Sequence, residues 1–455
     1  MTGANKIGRG DINWLGMEAP RYTSYPSAHH FSSEVGESQH QQWLSAIGEN
    51  TSISIYVHIP FCKELCWFCG CHTKATRRYT PIAKYVEVLL KEIEQLKQQV
   101  SGIGKLINIH FGGGSPSLLE LTDLSAIIKA ISSIFNMRPS GELAIELDPR
   151  TTTPDNIRLY SKLGFNRVSV GIQDFDSVVQ KAINRIQSYQ KVKSIIDRLQ
   201  QAGFQQINCD LIYGLPHQTL ERFRDTLEKT ITLNPSRIAL FSYAHVPLVK
   251  THQRMIDTAL LPSETDKLDL YLFAVNFLKE NGYTSIGIDH FAKENDPLSM
   301  ALNNHTLQRN FQGYVTDSTD VLIGLGSSAI SKFPHGYIQN SANTATYQSL
   351  IEDRKLAAVR GWEFNDDDII RKQVIDNLMC FMSVDLADIC HEFKLDIKYF
   401  QAELQALKNK SYNGIITLEN NKITITTPYR MAARVIASEF DKYRGVAAGK
   451  YSKVG

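Results

Sequence analysis

The chain has 455 residues, 43% hydrophobic and 21% charged, with a formal net charge of +2. That length exceeds one compact core and predicts two or three domains of ordinary soluble composition, and the charge gives no reason to expect nucleic acid or a membrane as partner. No apolar run reaches the roughly 18 residues of a spanning helix, and Gly3, Lys6, Arg9 and Asp11 break any apolar segment in residues 1–20, so neither a membrane anchor nor a signal peptide is expected. The cytoplasm is the expected compartment.

Residues 1–50 read as an irregular arm with a short helix. Pro20-Arg21-Tyr22-Thr23-Ser24-Tyr25-Pro26 has a proline at each end, which makes it extended or turning. Its arginine and two tyrosines could close over a substrate or only pack on the surface. A strand–helix rhythm follows over residues 51–345. The alternating, β-branched stretch 52–58 predicts the first strand. Ile82, Val86, Leu89, Ile93 and Leu96 then recur at helical spacing. Further strands are expected at 106–111, 143–147, 167–172, 206–212, 237–242 and 284–288, with helices such as 188–201 and 263–281 between them. Strands alternating with helices predict an α/β fold with a parallel sheet, a partial or full (β/α) barrel. Residues 346–455 read as a small helical domain. Asn365 is a cap before Asp366-Asp367-Asp368, a hairpin spans 415–426, and a last helix starts near Tyr429, a winged-helix-like set.

Four of the seven cysteines lie between positions 62 and 71. Cys62, Cys66 and Cys69 have the spacing C-x3-C-x2-C, which can wrap three thiolates around one face of a cubic iron–sulfur cluster. Three ligands leave one iron open to a small molecule bound through an amine and a carboxylate, as a radical S-adenosylmethionine enzyme requires. Cys71 is separated from Cys69 by Gly70 alone, too close to share the cube without strain. Structural zinc and inert thiols are the alternatives. Zinc usually takes a second C-x2-C pair, whereas Cys209, Cys380 and Cys390 are scattered singly and read as buried thiols. Trp67 and Phe68 could be plain core or could shield a cofactor.

The strand ends carry the other polar candidates. Gly112-Gly113-Gly114 lets a ligand approach the backbone, although a tight turn is the commoner reason for such a run. Glu146 and Asp210 could accept from ribose hydroxyls, and Gln173 and Arg185 fall between them in sequence. His110, His245 and His290 lie at strand ends, where a satisfied core histidine is the plainer reading.

These stretches, with His110 to Pro116, Glu146 to Arg150, Gly171 to Phe175, Asp210 to Pro216, Tyr243 to His245, Asp289 to Ala292 and Arg309 to Tyr314, resemble the oxygen-independent coproporphyrinogen III oxidases. These are radical S-adenosylmethionine enzymes of haem biosynthesis. The resemblance implies a radical S-adenosylmethionine barrel with a 4Fe-4S cluster on Cys62, Cys66 and Cys69. It implies that Tyr56, Gly113, Glu146, Ala244 and Ile330 contact S-adenosylmethionine. Phe68, Gly114, Ser115, Gln173, Arg185 and Asp210 match a second S-adenosylmethionine site, so one or two molecules are expected. Cys71 matches a family cysteine that is not a cluster ligand, and Cys71 and Tyr56 are the expected catalytic side chains. Residues 378–383 depart from the family pattern, in which an arginine stands near Ser383.

The implied reaction turns two propionate side chains of coproporphyrinogen III into vinyl groups by way of a 5′-deoxyadenosyl radical, giving protoporphyrinogen IX. The implied partners are that substrate, a reductant such as flavodoxin or ferredoxin, and an electron acceptor; a monomer is expected. Two competitors from the same superfamily are a haem-binding chaperone and an anaerobic haem-degrading enzyme. Cys71 and the 20–26 arm speak against the chaperone.

Overall fold

The computed structural model describes residues 13–100, 104–316, 319–410, 412, 414–427, 429–445 and 451. Residues 1–12 of the expected arm lie outside them. Twelve strands make the main sheet: β1 Ser52–Ile59, β2 Lys105–Gly113, β3 Asn136–Leu147, β4 Arg167–Gln173, β5 Gln206–Tyr213, β6 Arg237–Ser242, β7 Tyr283–Ile286, β8 His290–Lys293, β9 Val321–Leu325, β10 Ile330–Phe333, β11 Gly336–Asn340 and β12 Ala358–Glu363. Their order is β12-β11-β10-β9-β1-β2-β3-β4-β5-β6-β8-β7. The run from β9 to β6 is parallel throughout. Among the described residues β7 and β12 do not pair, so the barrel is partial.

The rhythm read from the sequence is the parallel part. Strand interiors alternate or run apolar because both faces are covered: Ile53, Ile55, Val57 and Ile59 are all buried. The connecting helices start where a hydroxyl can accept the third amide of the first turn. Thr153, Ser188, Thr219 and Ser263 each do so. Helix Thr80–Gln99 buries Ile82, Val86, Leu89, Ile93 and Leu96, the apolar stripe expected for it.

Three expectations change. The strand expected at 284–288 is β7, which turns back antiparallel onto β8 and ends the sheet instead of extending the parallel run. The sheet continues past residue 345, because β12 pairs antiparallel with β11. A division at 345 would cut that ladder, and we propose the boundary between Glu363 and Asp366. The helix expected from Tyr429 is one tight turn, Arg430–Ala432, followed by Ala433–Ala437. Beyond β12, helix Asp366–Phe381 starts at the Asn365 cap. Strand Ser383–Asp385 then joins the hairpin Ile416–Glu419 and Lys422–Ile425 in a three-stranded sheet.

One buried carboxylate ties the parallel sheet to its antiparallel flank. Glu92, on helix Thr80–Gln99, accepts from Tyr347 Oη at 2.7 Å and Gly326 N at 2.8 Å through one oxygen, and from Asn340 Nδ2 at 2.7 Å through the other. Burial pushes this carboxyl up to about 7, against the three donors that hold it down. Next to it Tyr85 Oη donates to His58 O at 2.8 Å and accepts from Ser327 N. Gly326 has φ +95°, and a Cβ there would lie 2.4 Å from Tyr85 Oη, so glycine is required. Tyr347→Phe removes one donor from a buried carboxylate and should lower the unfolding free energy by about 1.5–3 kcal/mol. Denaturant titration checks this, and an unchanged midpoint would mean that the bond contributes nothing.

Candidate active site

The parallel strands end in a cavity of about 800 Å³. Cys62, Cys66, Cys69 and Cys71 line it together with Phe68, Gly113, Gly114, Ser115, Glu146, Gln173, Arg185, Asp210 and Ala244. The structure thus gathers residues expected from six separate stretches. Two expected residues stand back from the cavity wall. Tyr56 lies behind it on β1, its ring stacked on His110 with centroids 5.8 Å apart. Its hydroxyl meets His58 Nδ1 at 3.1 Å. Ile330 is the first residue of β10, two strands from β1.

Between the two-residue strand Phe61–Cys62 and Lys74–Ala75 the cysteine loop has no regular structure, and the rest of the fold holds its backbone. His252 Nε2 contacts Cys69 O at 2.7 Å, Gln253 Nε2 donates to Phe68 O at 3.0 Å, and Lys250 Nζ donates to Cys71 O at 3.1 Å. Asn184 Nδ2 donates to Leu65 O, and Trp67 N donates to Ile183 O, both at 3.0 Å. Trp67 and Phe68 pack on the small apolar cluster that contains Val179 and Ile183. Sequence reading missed Lys250, His252 and Gln253, since they lie in the irregular stretch after β6.

Each thiol has its own environment. Arg150 Nη2 and Arg185 Nη1 both reach Cys66 Sγ at 3.4 Å. Asp148 holds the two guanidinium groups, at 2.7 Å from Arg150 and 3.6 Å from Arg185. Cys62 accepts from Ser115 Oγ at 3.5 Å and lies 3.2 Å from Thr73 Oγ1. Cys71 N donates to Cys69 Sγ at 3.4 Å. The neighbouring Cys71 thiol, against burial, brings Cys69 down to about 7, with that amide, Lys250 and Arg185 adding to the effect. The same contact pushes Cys71 up.

The glycine run approaches β1 closely. Gly113 has φ +108°, and a Cβ there would lie 2.4 Å from the His58 ring. Gly113 N donates to Glu146 Oε2 and His110 Nε2 meets Glu146 Oε1, each at 3.2 Å. Burial raises the Glu146 carboxyl, but the His110 contact and the Gly113 amide outweigh it and hold Glu146 below the usual carboxylate range. Asp210 accepts from Ser169 Oγ at 2.8 Å and Asn208 Nδ2 at 2.6 Å, and burial still pushes it up to about 6. His110 and His290 both face the cavity, whereas His245 bonds Tyr243 Oη at 2.8 Å outside its lining.

The arm borders the same cavity. Arg21 lines it and donates to Ser242 O at 3.2 Å. Tyr22 Oη donates to Asp441 at 3.0 Å, Arg309 donates to Arg21 O at 3.4 Å, and Arg434 donates to Ala19 O and Pro20 O.

The chemistry of this donor set suits an iron–sulfur cube and a polar ligand. Among the described residues no three His, Cys, Asp or Glu side chains are grouped to hold a single ion. A cube presents a separate iron to each thiolate and asks for a wider set. Gln173 Oε1 and Asn208 Oδ1 are buried on cavity-lining residues without a protein partner, in place to receive ligand donors.

Residues 56–230 match the radical SAM superfamily, the class that the three-cysteine loop and the partial barrel define. Relatives along nearly the whole chain narrow this. The oxygen-independent coproporphyrinogen III oxidase of Bradyrhizobium diazoefficiens is 41% identical, over 93% of this chain and 94% of the relative. That of Escherichia coli is 38% identical over 95% and 94%. A solved structure of coproporphyrinogen III oxidase from Escherichia coli, described as a radical SAM enzyme, superimposes with a TM-score of 0.89 at 37% identity, covering 93% of this chain and 97% of that one. The chain belongs to the oxygen-independent coproporphyrinogen III oxidase family.

Cys66→Ala should abolish iron incorporation and the visible absorption of the reconstituted protein. Iron and sulfide analysis checks it, and full iron content in that variant would remove Cys66 from the ligand set.

Proposed function

We propose that the chain converts coproporphyrinogen III to protoporphyrinogen IX without oxygen, by oxidative decarboxylation of two propionate side chains. The observation that carries the reading is that Arg21 of the arm lines the same cavity as Cys62, Cys66, Cys69 and Cys71. A cation from the arm thus faces the cluster loop, as a substrate with four carboxylates would require.

When bound, a 4Fe-4S cluster with S-adenosylmethionine supplies a 5′-deoxyadenosyl radical, which removes a hydrogen atom from the β-carbon of a propionate. Cys62, Cys66 and Cys69 would hold the cluster. Arg150 and Arg185 offset the negative charge at Cys66, while Asp148 fixes both. Glu146, kept ionised, and the backbone of Gly113 and Ala244 suit the amino and ribose groups of S-adenosylmethionine, with Tyr56 behind them. Phe68, Gly114, Ser115, Gln173, Arg185 and Asp210 line the space for a second molecule. Phe68 adds an apolar surface to the cavity wall. Arg21 and Lys250 face the cavity as cations for propionates, and Cys71 lines it beside Cys69.

The atom count of each event is fixed: a propionate gives a vinyl group and carbon dioxide, and loses one hydrogen atom and one electron. The electron needs an acceptor, and the cluster needs a low-potential donor of the flavodoxin or ferredoxin type. No described helix is long and apolar enough to cross a membrane. A monomer working in the cytoplasm completes the reading.

Anaerobic incubation of the reconstituted protein with S-adenosylmethionine, a reductant and coproporphyrinogen III should yield protoporphyrinogen IX; no vinyl product under these conditions would overturn the reading. Cys71→Ser should keep its iron and lose decarboxylation, whereas loss of iron would make Cys71 a ligand. Arg21→Ala should keep cluster content and S-adenosylmethionine binding while decarboxylation falls about ten- to a hundredfold, the worth of one charge-assisted contact. Parent turnover in that variant would reduce the arm to a structural element. Asp210 is protonated below about 6 and can then accept less well from a ribose hydroxyl. S-adenosylmethionine affinity should therefore rise from pH 5 to pH 7, and Asp210→Asn should flatten the rise; equilibrium binding measures both.

A further inference from the structure

The segments that join the three cysteines have two faces. On the inner side Cys62, Cys66, Phe68 and Cys69 line the large cavity. On the outer side Lys63, Leu65 and Trp67 line a separate surface pocket of about 480 Å³ with Arg77, His252 and Met255. Glu64 and Leu65 border both spaces. The cysteine loop is therefore a wall one chain thick between the cavity and solvent.

The outer face has a consistent chemistry. Glu64 is the only carboxylate in its lining, and Arg77 pairs with it at 3.2 Å. Lys63 and Arg77 are exposed in the lining, and Lys74 and Arg78 are exposed on either side of its Ala75–Arg77 edge; Arg254 and Asp257, exposed near Met255 in sequence, are one of each charge. In the middle Met255 keeps 60% of its surface in solvent. An apolar centre with a basic rim, one residue from the cluster thiols, fits a small acidic protein that must come close and leave again.

We propose that this outer face is the docking surface of an acidic one-electron carrier protein with flavodoxin or ferredoxin chemistry. The proposal rests on the reaction above, in which the inner face is taken by substrate and S-adenosylmethionine. The reduced carrier loses one electron, and the cluster held by Cys62, Cys66 and Cys69 gains it. No bond forms or breaks and no proton crosses the wall. Basic residues at the rim raise the encounter rate with an acidic partner and make it sensitive to salt.

The test uses the full chain with its cluster reconstituted, and flavodoxin as probe. The charge reversals Lys63→Glu with Arg77→Glu, and Arg77→Glu alone, are compared with the parent. The single variant leaves the residues between the cysteines untouched. Lys193→Glu, on helix Tyr189–Gln201, is the control. Calorimetry measures the binding of oxidised flavodoxin, and visible absorbance follows cluster reduction by flavodoxin hydroquinone. Turnover driven by dithionite bypasses the carrier. The expected result is binding and flavodoxin-driven reduction about tenfold weaker in both variants, with dithionite-driven turnover unchanged and the control like the parent. Parent-like flavodoxin binding and reduction in both variants would overturn the proposal, as would parent binding that does not weaken with added salt. A parent that binds flavodoxin with the expected charge dependence but forms no vinyl product with dithionite would overturn the reaction and leave the docking surface standing.

Discussion

The site depends on how an irregular loop is held still. The cysteine loop offers its carbonyls and receives hydrogen bonds from Asn184, Lys250, His252 and Gln253, all distant in sequence. Without those donors the carbonyls would lose these partners, and three thiols on a floppy loop would not present a fixed triangle. The helices and the irregular stretch after β6 therefore act as a clamp on the loop that follows β1.

Charge is arranged on the same economy. Asp148 fixes Arg150 and Arg185, and both arginines meet Cys66, so an anion, two cations and a thiol form one buried group. Removing any single member leaves the others unbalanced at the wall of the cavity. Cys69 and Cys71 show the opposite arrangement. Two identical side chains two residues apart are pushed in opposite directions by their contact, Cys69 down and Cys71 up.

The parallel sheet was legible because its signal is local. β-branched alternation, helical periodicity and hydroxyl caps mark each unit within about a dozen residues. At the antiparallel ends β7 was legible as a strand but its pairing was not, nor were β8 and β10, since all three are four residues long and their partners are set by distant chain. That is why β12 was assigned to the C-terminal helices although it extends the sheet. The cysteine spacing exposed the centre of the site at once. Arg150 and Asp148 stood in a quoted stretch, yet nothing in their neighbours says that one side chain reaches Cys66. Ile330 came from resemblance alone, and in the structure it begins a flanking strand instead of lining the cavity.

The arm is fastened by residues from the far end of the chain. Ala19 and Pro20 are held through their carbonyls by Arg434, and Tyr22 by Asp441. On the ribosome the cysteine loop and all of the parallel strands emerge before these fasteners exist. The arm that borders the cavity therefore gains these contacts only after residues 434 and 441 have been made.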